Sequence, residues 1–181
     1  MLNAKGKKRI KNIVYTAMFA ALIAVCSLIS VPFAVPFTLQ TFSVFLALFV
    51  LGGRRGTWAV LAYVCLGLAG LPVFSGFVGG FAVLFGATGG YIIGFVLAAF
   101  AFWAGEKLFG KKTLVLLLLA AAGLVICYIF GSIWYAFIYA GGTGGGFATA
   151  MAVCVLPFIV PDILKIGLAL LLGNRLKKYV K

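Results

Sequence analysis

The sequence predicts an all-α integral membrane protein with six transmembrane helices and both termini in the cytoplasm. Of its 181 residues 65% are hydrophobic and the mean hydropathy is +1.25, more apolar surface than a soluble domain of this length buries. Only 9% are charged, with 15 Lys and Arg against two acids, Glu106 and Asp162. The basic residues fall in clusters between apolar runs, and the clusters occupy alternate loops.

Residues 1–12 form a basic N-terminal segment ahead of one membrane domain that fills the chain, residues 1–181. The apolar run 13–31 is long enough to span and reads as an uncleaved first helix. The next spans are 41–52, 56–72, 87–105 and 113–140. Residues 41–52 reach only about 18 Å as a helix, so this element starts below the outer surface. At the end of the chain Pro157 and Pro161 each remove a backbone donor. They split the last run into a short outer helix, 147–156, and a final span, 161–178, that opens at Pro161. Five basic residues precede the first span, two follow the second, three follow the fourth and four lie at or beyond the end of the last, from Arg175 on, all on one side of the membrane. The loops 32–40, 71–86 and 141–147 carry no charge. Irregular backbone at membrane depth is tolerated only where it is buried in protein or lines a cavity, so the short helix and the broken one predict a pocket open away from the cytoplasm.

Composition excludes most catalysis. There is no His, and two separated acids cannot furnish a zinc site, a Ser-His-Asp system or a glycosidase pair, so no enzyme activity, metal or cofactor is expected. Gly105 to Lys112 has P-loop spacing, but Lys112 stands where a hydroxyl should bind Mg²⁺ and no strand precedes it. The net charge of +13 reads as positive-inside topology rather than nucleic-acid binding. Cys26, Cys65, Cys127 and Cys154 lie in apolar runs without metal-ligand spacing.

Asp162 and Lys165 are the ionisable residues far from the cytoplasmic helix ends, and their i, i+3 spacing puts them on one helix face. An intramembrane charge is functional by default, although a self-contained structural ion pair remains open. Asp162 directly after Pro161 is expected at a helix N-terminus, where a carboxylate is favoured and can accept from a ligand N–H. Lys165, one turn deeper, is expected to meet a ligand carboxylate. Thr38 and Thr41 either cap the second helix or face the pocket, and Gln40 presents both donors and an acceptor at cavity depth. Tyr91 can turn its hydroxyl to the same pocket or mark the interface. The Gly- and Phe-rich segment 71–90 reads as an apolar lid, with Phe74, Gly79 and Gly80 as candidate ligand contacts. Ala17, Ala20, Ala21 and Ala24 form a small-residue stripe on the first helix, and Gly86, Gly90 and Gly94 a ridge leading into the fourth. Each is either an internal seam or a docking surface. Residues alone therefore predict a binder of a small, partly apolar solute with a donor group and an anionic end, and leave a self-sufficient facilitator or channel open.

Several runs carry a resemblance: Pro36-Phe-Thr-Leu-Gln40-Thr, Leu51-Gly-Gly-Arg-Arg-Gly56, Gly70-Leu-Pro-Val-Phe74, Gly86-Ala-Thr-Gly-Gly-Tyr91-Ile-Ile-Gly-Phe95 and Leu156-Pro-Phe-Ile-Val-Pro-Asp162-Ile-Leu-Lys165. Together they resemble the BioY family, the biotin-specific S components of energy-coupling factor (ECF) transporters, over almost the whole chain. The resemblance implies an S-component fold with a biotin pocket under the outer loops, in a plasma-membrane protein of a bacterium. It also implies that the first helix docks, through Ala17 to Ala21 or Ala20 to Ala24, on a membrane-embedded coupling subunit served by two cytosolic ATPases, which alone use ATP. Where some relatives carry a basic residue after the Gly-Gly-Tyr, this chain has Ile92.

Overall fold

A computed structural model describes residues 4–32, 35–139 and 146–180. Helix α1 (Ala4–Leu28) leads into a two-stranded antiparallel ribbon, β1 (Ser30–Val31) and β2 (Phe37–Thr38), in which Ser30 pairs with Thr38 and Val31 with Phe37. There follow α2 (Gln40–Leu51), α3 (Gly53–Leu68), a 3-10 turn at Phe81–Phe85, α4 (Gly89–Phe109) and α5 (Thr113–Trp134). A π turn at Tyr135–Tyr139 extends α5, then come α6 (Gly146–Cys154) and α7 (Leu156–Val180). Among the described residues four helical stretches are long and apolar enough to cross a membrane: Lys5–Leu28, Gly89–Phe109, Thr113–Ile138 and Leu156–Val180. Helix α2 is apolar but short, as its 12 residues dictate. It is also the centre of the bundle: 11 of those 12 residues are buried, so a helix shorter than the hydrocarbon core is sheathed by its neighbours.

The basic residues 5–11 form the first turns of α1. Arg54 and Arg55 likewise fall inside α3, because a single residue, Gly52 at φ +80°, suffices to turn the chain between α2 and α3. The final helix corrects a stronger expectation. It runs without a break from Leu156 through Pro161, rather than opening at Pro161. Pro157 occupies the first turn, where amide protons have no intrahelical partner, so only the donor missing at Pro161 is lost within the ladder. Asp162 consequently sits in the second turn, away from the helix N-terminus, and the helix dipole does not account for its charge. Most of the uncharged loop 141–147 lies outside the described residues.

Polar contacts gather the basic ends of the helices at one end of the bundle. The Gly53 amide donates to Glu106 Oε2 at 2.7 Å, which satisfies a free donor at the start of α3 despite the arginines that follow it. Lys111 Nζ lies 3.9 Å from the same carboxylate, Arg55 donates to Asn12 Oδ1 at 2.9 Å, and the Tyr15 hydroxyl donates to the Tyr179 carbonyl. Between the ends, glycines on α4 admit α5: a Cβ at Gly94 would lie 3.0 Å from the Cys127 Cα, and one at Gly90 would overlap Trp134. The ridge through Gly90 and Gly94 is thus an internal seam. The alanine stripe divides. Ala20 is buried and Ala24 half-buried, whereas Ala17 and Ala21 face outward.

The Gly53 contact yields a direct prediction. A Cβ there would come within 2.6 Å of the Trp103 Cα and 2.8 Å of Glu106 Oε2. Gly53→Ala should therefore destabilise the fold by about 1–3 kcal/mol, read as a lower thermal midpoint in detergent. An unchanged midpoint would show that the α3–α4 approach is looser than described.

Candidate functional site

A cavity opens among β2, the start of α2, the α3–α4 segment, the C-terminal half of α5 and the N-terminal half of α7. Its walls are mostly apolar or aromatic: Val35, Pro36, Phe74, Ile92, Phe95, Leu124 and Phe158 line it, alongside Tyr63, Tyr91 and Tyr128. At the α5–α7 wall lie Asp162 and Lys165, 4% and 8% exposed. Lys165 Nζ stands 2.8 Å from Asp162 Oδ1 and donates at 2.7 Å to the carbonyl of Thr38. It also lies 3.7 Å from the centroid of the Phe37 ring, which stacks on Phe158. The other carboxylate oxygen, Oδ2, accepts from the Tyr128 hydroxyl at 2.7 Å. Two charges withdrawn from water are thereby met by each other, a carbonyl, a hydroxyl and a π face, the condition for keeping a buried pair.

Other positions carry donors with nothing to bond. Among the described residues four buried side-chain N or O atoms lack a hydrogen-bond partner, and three of them, Gln40 Nε2, the Tyr63 hydroxyl and Ser75 Oγ, belong to cavity-lining residues. Leaving a buried donor unpaired costs about 1–3 kcal/mol, so three together are what a site waiting for a polar ligand contains.

The sequence-predicted residues sort as follows. Asp162, Lys165, Gln40, Thr38, Tyr91 and Phe74 all reach the cavity wall. Thr38 Oγ1 also accepts from the Gln40 amide at 3.2 Å, so its side chain serves the start of α2 while its carbonyl holds Lys165. Tyr91 packs on Gly131, with its hydroxyl 3.5 Å from Ser132 Oγ. Phe74 is pressed edge-on to the Tyr63 ring and covers Gly67. Gly79 and Gly80 do not line the cavity. They close the loop beneath it, where the Gly80 amide donates to the Gly67 carbonyl at 2.7 Å and a Cβ on Gly79 would overlap the Leu71 carbonyl. Tyr63, Ser75, Thr88 and Tyr128 were not anticipated. For the two tyrosines a signal existed, since each places a hydroxyl in mid-span, where a polar tip needs a partner.

A buried ion pair and unpaired donors around an aromatic cavity, inside a bundle with four helical stretches long enough to span, define a multi-pass membrane protein with a polar-edged internal cavity. The overall fold agrees with that class. It superposes on a crystal structure of the S-component for biotin from an ECF-type ABC transporter with a TM-score of 0.83, at 29% identity, over 98% of this chain and 95% of that one. The chain belongs to the BioY family, whose model matches residues 3–181. It is 43% identical over 168 residues to a probable biotin transporter BioY of Pyrococcus horikoshii, covering 92% of this chain and 96% of the relative. It is also 43% identical over 171 residues to the biotin transporter BioY of Thermotoga maritima, covering 93% and 96%. These relatives are transporters and not enzymes.

The ion pair makes a stability prediction that needs no ligand. Lys165→Met alone leaves a buried carboxylate and should cost about 3–5 kcal/mol, whereas adding Asp162→Leu should restore much of the loss. Thermal unfolding of both variants in detergent checks this, and a double variant weaker than the single would show that the charges are solvated.

Proposed function

We propose that this protein captures biotin from the outer side of the membrane and passes it to an ATP-driven coupling module for uptake. The carrying observation is one cavity that joins the Asp162–Lys165 pair to aromatic walls and three unpaired donors. Both charged groups point at the same ligand edge. A carboxylate brought to Lys165 would also approach Asp162 Oδ1, 2.8 Å from the ammonium. A cyclic urea avoids that conflict, because an N–H can donate to Asp162 while the adjacent carbonyl accepts from Lys165. The thiophane ring and valerate chain then suit Phe74, Phe95 and Phe158, and the carboxylate goes to the neutral donors of Gln40, Tyr63 and Ser75. This pose gives Ile92 a place, since an apolar residue at the cavity wall is tolerated if no cation is needed there.

The orientation proposed is six spans with both termini cytoplasmic, supported by the gathering of the basic helix ends at one end of the bundle. The coupling module is proposed to comprise a membrane-embedded subunit and two cytosolic ATPases. Exposed Ala17 and Ala21 are the proposed docking pair, because a surface without side-chain volume lets another helix approach closely. Buried Ala20 instead serves α1's own packing.

Titration calorimetry on the purified protein should show saturable biotin binding without ATP or partners, and no heat from a well-folded sample would overturn the ligand. Asp162→Asn should weaken biotin roughly ten- to hundred-fold, since a hydrogen bond to a charged group is worth about 1.5–3 kcal/mol, while Asn174→Ala should leave it unchanged. Biotin amide should bind within a few-fold of biotin, and a Lys165→Met variant that selectively loses the free acid would place the carboxylate at Lys165 instead. Ala17→Trp should abolish ATP-driven uptake and co-purification with the coupling module but keep biotin affinity. Uptake that survives this change, or that proceeds in liposomes without ATP, would contradict the delivery step.

A further inference from the structure

A second cleft, of about 1370 Å³, opens at the basic end of the bundle between α1, the α2–α3 turn and the α4–α5 turn. Seven cations line it: Lys7, Lys8, Arg9 and Lys11 on α1, Arg54 and Arg55 on α3, and Lys111; the lone acid among its lining residues is Glu106. That carboxylate is already engaged by the Gly53 amide and Lys111. Such an excess of like charge in one concavity is unfavourable unless an anion shares it. Apart from Asn12 and Thr16, the rest of the wall is apolar or glycine. Ile13 and Trp58 are both more than half exposed, and outward-facing Ala17 continues the surface along α1. Ile13 begins the apolar run of α1 two residues after the last of its clustered cations, so the cleft straddles the level at which the bundle passes from polar to apolar surroundings.

We propose that this cleft is a binding site for an anionic phospholipid, with the phosphate among Arg54, Lys8 and Lys111 and an acyl chain laid along Ile13, Trp58 and Ala17. Arginine matches phosphate oxygens with a planar fork of donors, and clustered cations at a membrane surface attract anionic headgroups. A free phosphate or nucleotide would satisfy the cations but leave the apolar wall bare. An acidic protein segment would have no use for a groove that opens into the acyl region. The site is independent of the biotin reading, yet its tail runs over Ala17, so lipid and a docked helix compete for the same strip of α1.

The test is native mass spectrometry of the purified protein in neutral detergent, with phosphatidylglycerol and phosphatidylcholine of identical chains. Phosphatidylglycerol should be retained at least tenfold more strongly. Arg54→Gln combined with Lys111→Gln should remove that preference without altering the biotin dissociation constant, which also reports that the variant is folded. Lys8→Gln with Arg9→Gln on exposed α1 provides a second variant with the same expectation. Equal retention of the two lipids would overturn the proposal. So would displacement of phosphatidylglycerol by millimolar inorganic phosphate alone, or preferential capture of a glutamate-rich peptide. A preference that persists in both variants would place the lipid elsewhere.

Discussion

A charge pair that must live without bulk water governs the arrangement of this protein. Asp162 and Lys165 share a face of α7, and each is worth keeping only while its remaining bonding capacity is filled. Meeting that condition recruits Tyr128 from α5 and the Thr38 carbonyl from β2, so three separate parts of the chain converge on one point. The convergence fixes the ribbon over the end of the bundle where α7 begins and leaves a cavity beside it. The cation on Phe37, itself stacked on Phe158, completes the enclosure. The ion pair and the cavity therefore share their residues, since Asp162, Lys165, Thr38 and Tyr128 all line it.

The second constraint is that backbone polar groups at membrane depth need protein around them. Helix α2 is shorter than the hydrocarbon core, and it is enclosed on almost every side. Its start, with Gln40 and the Thr38 turn, is thus brought to the cavity wall rather than to the surface. At the opposite end a single glycine turns the chain into α3, and buried Glu106 supplies the acceptor that the arginine-rich first turn does not. The two acids of the chain play parallel parts at the two ends: each is buried, each accepts from a donor on another element, and each lies beside a lysine.

Much of this was legible in the sequence because lipid makes charge rare and therefore informative. Asp162 and Lys165 stood out for that reason, and the basic clusters marked one end of the bundle. The misreadings have physical causes. Two prolines looked like a helix break, but Pro157 falls in a first turn where it costs nothing, which left Asp162 inside α7. The paired alanines could not be assigned to inside or outside by spacing, because i and i+4 relate them equally to both faces until a neighbour is placed. Tyr63 and Tyr128 were hidden among seven tyrosines, since a hydroxyl in mid-span announces itself less than a charge does. Gly79 and Gly80 drew attention as flexible lid residues, whereas their lack of a side chain lets the loop close on α3.

The central claim is that biotin occupies the cavity beside the Asp162–Lys165 pair, and the cysteines offer a direct reading of it. Cys127 and Cys154 line that cavity and are buried, while Cys65 is exposed and lies outside it. The measurement is the rate at which a small thiol reagent modifies each, followed by peptide mass spectrometry, with and without saturating biotin. Protection of Cys127 and Cys154 with an unchanged rate at Cys65 is the result the account predicts. Bound biotin that leaves all three rates unaltered would contradict it.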